Sequence, residues 1–284
     1  MILAELYLLK DFLGTLGKDD EQELLSFLDV DTQEVFTDLR ALPFNPSQGL
    51  LPTQERLLHI HPSWFVSILK DYNDSDKYLL IAALPESVHE LLMQHFQLSR
   101  RDVKITSLGK EFISEKIYRQ LTSDVPDLLP QEALPLDPLN VLLNIPYLQL
   151  VELIDLLSLH DLHVELKSLI SAKKLKTLHT LLTPEQKKYL QQLQKKHELL
   201  AFKPLGLCYW NGDPDILKKA LHQRGLNRLA KALYSCCSSL QWYILHKLDI
   251  GRSTSVQTLM KDLKNKTAHD HLIEQITHAA TLIL

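Results

Sequence analysis

Histidine, carboxylate and thiol side chains gather at three places in the sequence, and each place has a definite chemistry to offer. The segment AHDHLIEQITH (268–278) contains His269, Asp270, His271, Glu274 and His278. On a helix, His271, Glu274 and His278 fall on one face at i, i+3 and i+7, a geometry that a divalent cation can use. Hydrolytic metal motifs need more than this. His-Glu-x-x-His spacing is missing, and a His-Asp type centre needs a downstream Asp that the following residues do not supply. A polar helix face explains the segment with fewer requirements. Cys236-Cys237 is the second place. A thiol nucleophile needs a positioned base and an electropositive setting, and the nearest base in sequence is His246. A pair of small buried hydrophobes describes these cysteines better. At the third place, His59 and His61, the second histidine precedes Pro62 and reads as a helix start. These residues assign no catalytic, cofactor-binding or metal role. A helical metal-dependent hydrolase built on the C-terminal His/Asp/Glu cluster is the alternative from another function class.

The elements that carry these residues read as helices. The chain has 284 residues, 45% hydrophobic and 23% charged, with only 8 glycines and Leu abundant throughout. That is enough for a sizeable core, and the scarcity of Gly disfavours a sandwich or barrel. No segment of useful length alternates with period two, so almost no strand is expected. Leu13, Leu16, Leu24, Leu25 and Leu28 fall near helical spacing and place short helices over 4–40, with GKDDEQ as an acidic helix start. ALPFNPSQGLLPTQ (41–54) is a Pro- and Gly-punctuated loop. Helix resumes over 55–121, broken at 73–76 and again at Pro85. TSDVPDLLPQEALPLDPLNVL (122–142), rich in prolines and carboxylates, is the clearest boundary. The expected division is a helical N-terminal domain at 1–121 containing a three-helix unit at 55–121, a Pro/acidic linker at 122–144, and a two-repeat helical domain at 145–284.

The repeat in the last part follows from a shift of 67 residues, which lays Leu159 on Leu226, Leu162 on Leu229 and Leu166 on Leu233. The same shift brings Leu178 onto Leu245, His179 onto His246 and Leu181 onto Leu248. A repeated histidine implies a repeated packing role. Leu-rich units that cannot close their own apolar faces must stack on one another. The fold class expected is all-α: an armadillo-like helical repeat solenoid with a helical-bundle N-terminal half.

Charge narrows the partners. A net charge of −4 leaves no basic footprint for nucleic acid and no polybasic anchor for anionic lipid. Locally, SAKKLKTLHTLLTPEQKKYLQQLQKKHE (171–198) is lysine-rich. It reads as a solvated face, or as a docking surface for an acidic partner or a contact near the membrane. SRRDVK (99–104) is a shorter run of the same kind. The opening MILAELYLLKDFLGTLG is interrupted by Glu5, Lys10 and Asp11 and makes a poor signal peptide, and no window approaches a membrane span. Cys208, Cys236 and Cys237 form no disulfide framework, which suits a reducing cytoplasm.

The stretch HPSWFVSILKDYNDSDKYLLIAALPE (61–86) is the most deliberately punctuated in the chain. Pro62 suits a first helical turn, Asn73, Asp74 and Ser75 can stop one helix and cap the next, and Pro85 starts a third with Glu86 on its dipole. This stretch resembles the middle domain of the flagellar motor switch protein FliG family. That family carries Glu-His-Pro-Gln, a helix ending in Ile-Leu, a short Asp-Pro turn, a second helix and then Leu-Pro-Glu. Here His61-Pro62, Ile68-Leu69, Asn73-Asp74 and Leu84-Pro85-Glu86 fall at the same separations. DLHVELK (161–167) and RLAKALYSCCSSL (228–240) are similar to its armadillo-type units, and FLGTLGKDDEQELLSFLDVDTQEVF (12–36) to its N-terminal unit.

The resemblance implies a non-enzymatic, protein-binding role without cofactor, its partner contact at Ile60, His61, Pro62, Ser63 and the following Trp64. Two departures refine it. Ile60 and Ser63 stand where the family has Glu and Gln, so the partner differs in detail. The segment matching the family's charged torque helix, PYLQLVELIDLL (146–157), keeps only Glu152 and Asp155 and has no basic residue. Together they imply a non-rotary relative: an adaptor of a type III secretion sorting platform, bridging a membrane-ring protein and a cytoplasmic platform protein. Its expected location is the cytoplasmic face of the inner membrane, peripheral through the ring, with no direct membrane insertion and no nucleic acid. A true flagellar motor switch protein is the alternative within the class.

Overall fold

The computed structural model describes residues 9–10, 13, 18–38, 52–167, 169–194, 200 and 204–284. Among them there is no strand, and the chain is all-α. In chain order the helices are α1 (Lys18–Leu25), α2 (Val30–Asp38), α3 (Thr53–Leu58), α4 (Pro62–Leu69), α5 (Asp74–Ala83), α6 (Glu86–His95) and α7 (Ser107–Leu121). Short 3-10 turns follow at Gln131–Ala133 and Pro138–Asn144. Then come α8 (Tyr147–Leu166), α9 (Ala172–Leu181), α10 (Pro184–Leu193), α11 (Pro214–Leu233), α12 (Ser238–Lys247), α13 (Ile250–Leu259) and α14 (Lys266–Ile283).

Two compact units result. One is Met1–Asp137 together with Cys237–His246, and the other is Pro138–Cys236 together with Lys247–Leu284. This differs from the division read in the sequence: nearly all of α12 joins the N-terminal unit, although it lies deep in the C-terminal half of the chain. The segment 122–144 also differs from a linker. Its prolines restrict it to short 3-10 turns, but the side chains between them, Leu129, Ala133, Leu134, Leu139 and Leu142, are buried. The loop read at 41–54 lies outside the described residues up to residue 51, and beyond that α3 starts at Thr53.

In the first unit, local chemistry fixes the helix ends. His61 caps α4 by accepting the Ser63 N–H, with Pro62 inside the first turn. Asn73 caps α5 through the Asp76 N–H, and Thr106 caps α7 through the Gly109 N–H. Pro85 takes the cap position of α6, whose first helical residue is Glu86. The three helices α4, α5 and α6 pack as a small bundle, with Phe65, Leu69, Ile81, Leu84 and Leu92 buried between them. Helix α7 closes against α3 and α5. The Gln54 amide bonds both the Ala83 carbonyl and Ser114, and Ser114 itself donates to Ala83 at 2.7 Å. Leu13 and Phe36 form a smaller core with Leu9 and Leu25, while Leu16 lies outside the described residues.

In the second unit, α8 and α11 are both 20 residues long, and their starts, Tyr147 and Pro214, are separated by the 67-residue shift seen in the sequence. Each is followed by two ten-residue helices, α9 and α10 after α8, α12 and α13 after α11. Helices α8 and α11 pack side by side. Asp155 meets His222 and Asp161 meets Arg228, and both pairs are 67 residues apart. Equal separations at two successive positions require parallel helices in register. Their closest approach is at Gly225, where a Cβ would come 1.8 Å from the Ile154 carbonyl oxygen. No side chain fits there, which is why glycine occupies a helix interior that it otherwise weakens.

Candidate functional site

The expected contact residues lie at the start of α4 and differ in exposure. Ile60 is 4% exposed, so its side chain belongs to the core and presents nothing to a partner. His61, Pro62, Ser63 and Trp64 are half-buried. The backbone N–H of His61 donates to the His246 carbonyl at 2.8 Å and so satisfies one of the carbonyls left open at the C-terminus of α12. Its ring faces the other way along the chain: Nδ1 accepts the Ser63 N–H at 3.2 Å and lies 2.9 Å from the Ser63 hydroxyl. One residue thus closes the end of one helix and the beginning of another.

Trp64 packs on α12 in the same way. Its ring stacks on the His246 imidazole with centroids 4.1 Å apart, and His246 stacks on Trp242 at 3.9 Å. Trp242 meets Tyr118 edge-on at 6.2 Å, and the Arg56 guanidinium lies 4.5 Å above Tyr118. Burial pushes the His246 pKa down to about 4, the hydrogen bond to the Trp242 carbonyl only partly opposing it. The ring is therefore neutral, and its Nδ1–H donates to that carbonyl at 2.8 Å. Tyr243 donates to the Leu129 carbonyl at 2.9 Å, and Ser239 accepts the Leu129 N–H at 3.0 Å. Burial raises the Tyr243 pKa strongly, so it stays protonated. This seam is aromatic and hydrogen-bonded, with the Arg56 guanidinium at its Tyr118 end. It fixes α12 against residues 56–129 and has no group poised for proton transfer.

His179, paired with His246 by the sequence shift, is exposed rather than buried. The repeated histidine does not have a repeated packing role, because the two copies sit in different units and face different neighbours.

In the second unit a polar network that the sequence did not point to joins α8, α11 and α13. Asp155 lies 2.7 Å from His222 Nδ1, and Arg252 Nε donates to His222 Nε2 at 3.0 Å. Arg252 also reaches Asp249 at 2.5 Å and the Tyr147 hydroxyl at 3.1 Å. Burial disfavours the Arg252 charge, but Asp249, Tyr147 and Asp155 outweigh it and raise its pKa. An Asp–His pair is half of a hydrolytic triad. Here the second nitrogen is already taken by Arg252, so the imidazole cannot accept a proton from a nucleophile. Deeper between the same helices, Arg228 is fully buried and binds Asp161 and Gln275, each at 2.6 Å. The sequence did hold a sign of both pairs: the shift that aligns the leucines also aligns Asp155 with His222 and Asp161 with Arg228.

The C-terminal histidines disperse along α14. His269 meets the Ala232 carbonyl at 3.0 Å and the Ser235 hydroxyl at 2.7 Å, His271 lies 3.5 Å from Glu274, and His278 lies against the Tyr189 ring. Among the described residues no three His, Cys, Asp or Glu side chains come together to hold a metal ion. All three cysteines are free thiols: Cys236 is buried, Cys237 caps α12 weakly through its sulfur, and Cys208 is exposed. A recess of about 1100 Å³ in the first unit lies beside the 99–104 basic run and mixes Arg100, Arg101 and Lys110 with Glu86, Glu90 and Asp102. A smaller one of about 400 Å³ in the second unit is bordered by Glu152, Asp155, Glu185 and Tyr189. Among the described residues no helix is long and apolar enough to cross a membrane.

Comparison with protein-family models, curated proteins and solved structures matches none of them to this chain.

Proposed function

We propose that the chain is a non-enzymatic structural adaptor, a FliG-like, armadillo-type helical repeat protein of a type III secretion sorting platform. It bridges a membrane-ring protein and a cytoplasmic platform protein at the cytoplasmic face of the inner membrane. The observation that carries this reading is the 61–86 block. Its His-Pro start, Asn73 cap and Leu84-Pro85-Glu86 restart coincide with the ends of three short packed helices, as the resembled motif requires. The repeat reading is supported by the matching helix lengths after α8 and α11 and by the parallel, in-register packing of those two helices. Stacked units related by a constant shift are the building principle of solenoids.

The contact surface proposed is the half-buried edge of His61, Pro62, Ser63 and Trp64, with Ile60 as its inward anchor. Leu58, 53% exposed at the end of α3, adds an apolar neighbour. Affinity would come from a few such anchors, with charge setting orientation.

The test is an affinity pull-down from the native cell with mass spectrometry. Because Trp64→Ala also removes the stack on His246, Ser63→Arg and Leu58→Glu are run beside it, with circular dichroism to verify folding. Recovery of secretion-ring and platform proteins by the parent chain, lost in the folded Ser63 and Leu58 variants, is the expected result. Recovery of flagellar components instead would move the chain to the rotary machine. If neither set is enriched, the adaptor reading fails.

A further inference from the structure

The net charge of −4 conceals a lysine-rich corner of the second unit. Residues 166–182 carry Lys167, Lys173, Lys174 and Lys176 and no carboxylate, and residues 204–212 carry no carboxylate either. The structure brings these two segments together. Glu165, near the end of α8, accepts the N–H groups of Gly206 and Leu207, each at 2.9 Å. Lys174, in the first turn of α9, donates to the carbonyls of Leu207 at 3.3 Å and Cys208 at 2.7 Å. The Glu165 carboxylate is thereby bound to backbone amides.

The apolar residues of the corner divide sharply. Leu166, Leu169, Leu205, Leu207 and Trp210 pack inward on the core formed by α8, α9, α10 and α11. Their neighbours Ile170 and Tyr209 point outward and are 97% and 91% exposed, more than any other large hydrophobic residue described. Both flank Lys174: Ile170 precedes the Ser171 cap that accepts the Lys174 N–H, and Tyr209 follows the Cys208 carbonyl that accepts its ammonium. Two exposed apolar side chains thus stand on either side of Lys174.

Lys173 and Lys174 also lie in the first turn of α9, which has no acidic residue there. The helix dipole disfavours cations at that end, so the lysines oppose local stability, and an anionic surface laid over them would reverse the sign.

We propose that this corner is an interfacial docking surface for a bilayer containing anionic lipid, with the exposed Lys167, Lys173 and Lys176 at the headgroups and Ile170 and Tyr209 entering the interface. Isolated projecting tips suit a fluid surface, whereas a protein partner is more often met by a groove or a continuous apolar patch. Tyrosine favours the membrane–water boundary because its ring is apolar and its tip polar. Neither segment contains Arg, the residue that dominates base and phosphate recognition in nucleic acids. The contact lies on the membrane and does not span it. It departs from the expectation that the chain touches membrane only through a ring protein, and it stands independently of the adaptor reading.

The experiment is co-sedimentation of the full chain with vesicles of phosphatidylcholine alone and of phosphatidylcholine mixed with phosphatidylglycerol. Binding is expected only to the mixed vesicles and should fall as salt is added. Lys173→Gln/Lys176→Gln should lower the partition coefficient roughly 30-fold. Ile170→Ser and Tyr209→Ser, at positions with almost no folded-state contacts, should each lower it about ten-fold. Arg100→Gln/Arg101→Gln, in the other unit, should leave it unchanged. No binding to mixed vesicles would overturn the proposal, as would binding unaffected by the Ile170 and Tyr209 substitutions, or an equal loss in the Arg100/Arg101 control. Retention on immobilised polyglutamate without vesicle binding would overturn it in favour of an acidic protein partner.

Discussion

His246 shows how one buried side chain sets a pH limit on the N-terminal unit. Its ring is held between two tryptophans, and the bond to the Trp242 carbonyl only partly offsets the burial of a positive charge. The pKa of 6.5 expected in the unfolded chain falls to about 4 in the folded one, chiefly because burial excludes water from the cation. Between those values the unfolded state binds a proton that the folded state refuses, so stability falls as pH drops through that window and is complete above it. The loss at the acid end amounts to about 3 kcal/mol. His246→Phe keeps a stacking ring and removes the titration. Urea unfolding followed by tryptophan fluorescence should show a flatter pH dependence for the variant between pH 6.5 and 4. An identical slope in both proteins would mean that other groups carry the acid sensitivity.

At the scale of elements, the contact between α8 and α11 depends on a single absent side chain. Gly225 lies where the backbone of α8 passes, and a methyl group would overlap the Ile154 carbonyl oxygen. Backbone cannot rotate away as a side chain can, so Gly225→Ala must separate the helices. That separation would also stretch the Asp155–His222 and Asp161–Arg228 pairs beside it. The buried Arg228 pair is the more serious, since a buried charge that loses its partner is strongly destabilising. Although Ala is the better helix former, Gly225→Ala should lower unfolding free energy by about 3 kcal/mol. A shift of the urea midpoint measures it, and an unchanged or higher midpoint would refute the close crossing.

For the molecule as a whole, chain order and folding unit do not coincide. Helix α12 belongs with residues 1–137 even though 99 residues of the other unit, Pro138–Cys236, intervene. It supplies His246 and Trp242 to the stack on Trp64, and Tyr243 and Ser239 to the Leu129 backbone. A fragment of residues 1–137 should therefore unfold without a sharp transition and bind a hydrophobic dye. Appending residues 237–246 through a Gly-Ser linker should restore cooperative unfolding by circular dichroism. A cooperative transition in the unextended fragment would show that α12 is dispensable to this unit.

The sequence by itself determined the local half of this protein. Helix type followed from Leu spacing and scarce glycine, and several ends followed from caps that act within a few residues, as at His61 and Asn73. The 67-residue spacing was legible too, and it recurs in the starts of α8 and α11. Tertiary structure alone decided which apolar face meets which. Leu-rich stripes are nearly interchangeable to the hydrophobic effect, so nothing local distinguishes α12 joining its sequence neighbours from α12 joining the distant Trp64. The same is true of the basic corner. Its lysines were visible in the sequence, but Lys174 meets the turn that carries Tyr209 only in the fold, where it and Glu165 bind the backbone of residues 206–208. Ile60, read as a contact residue from its place in a motif, is buried because surfaces are assigned by the whole fold, after the last helix has packed.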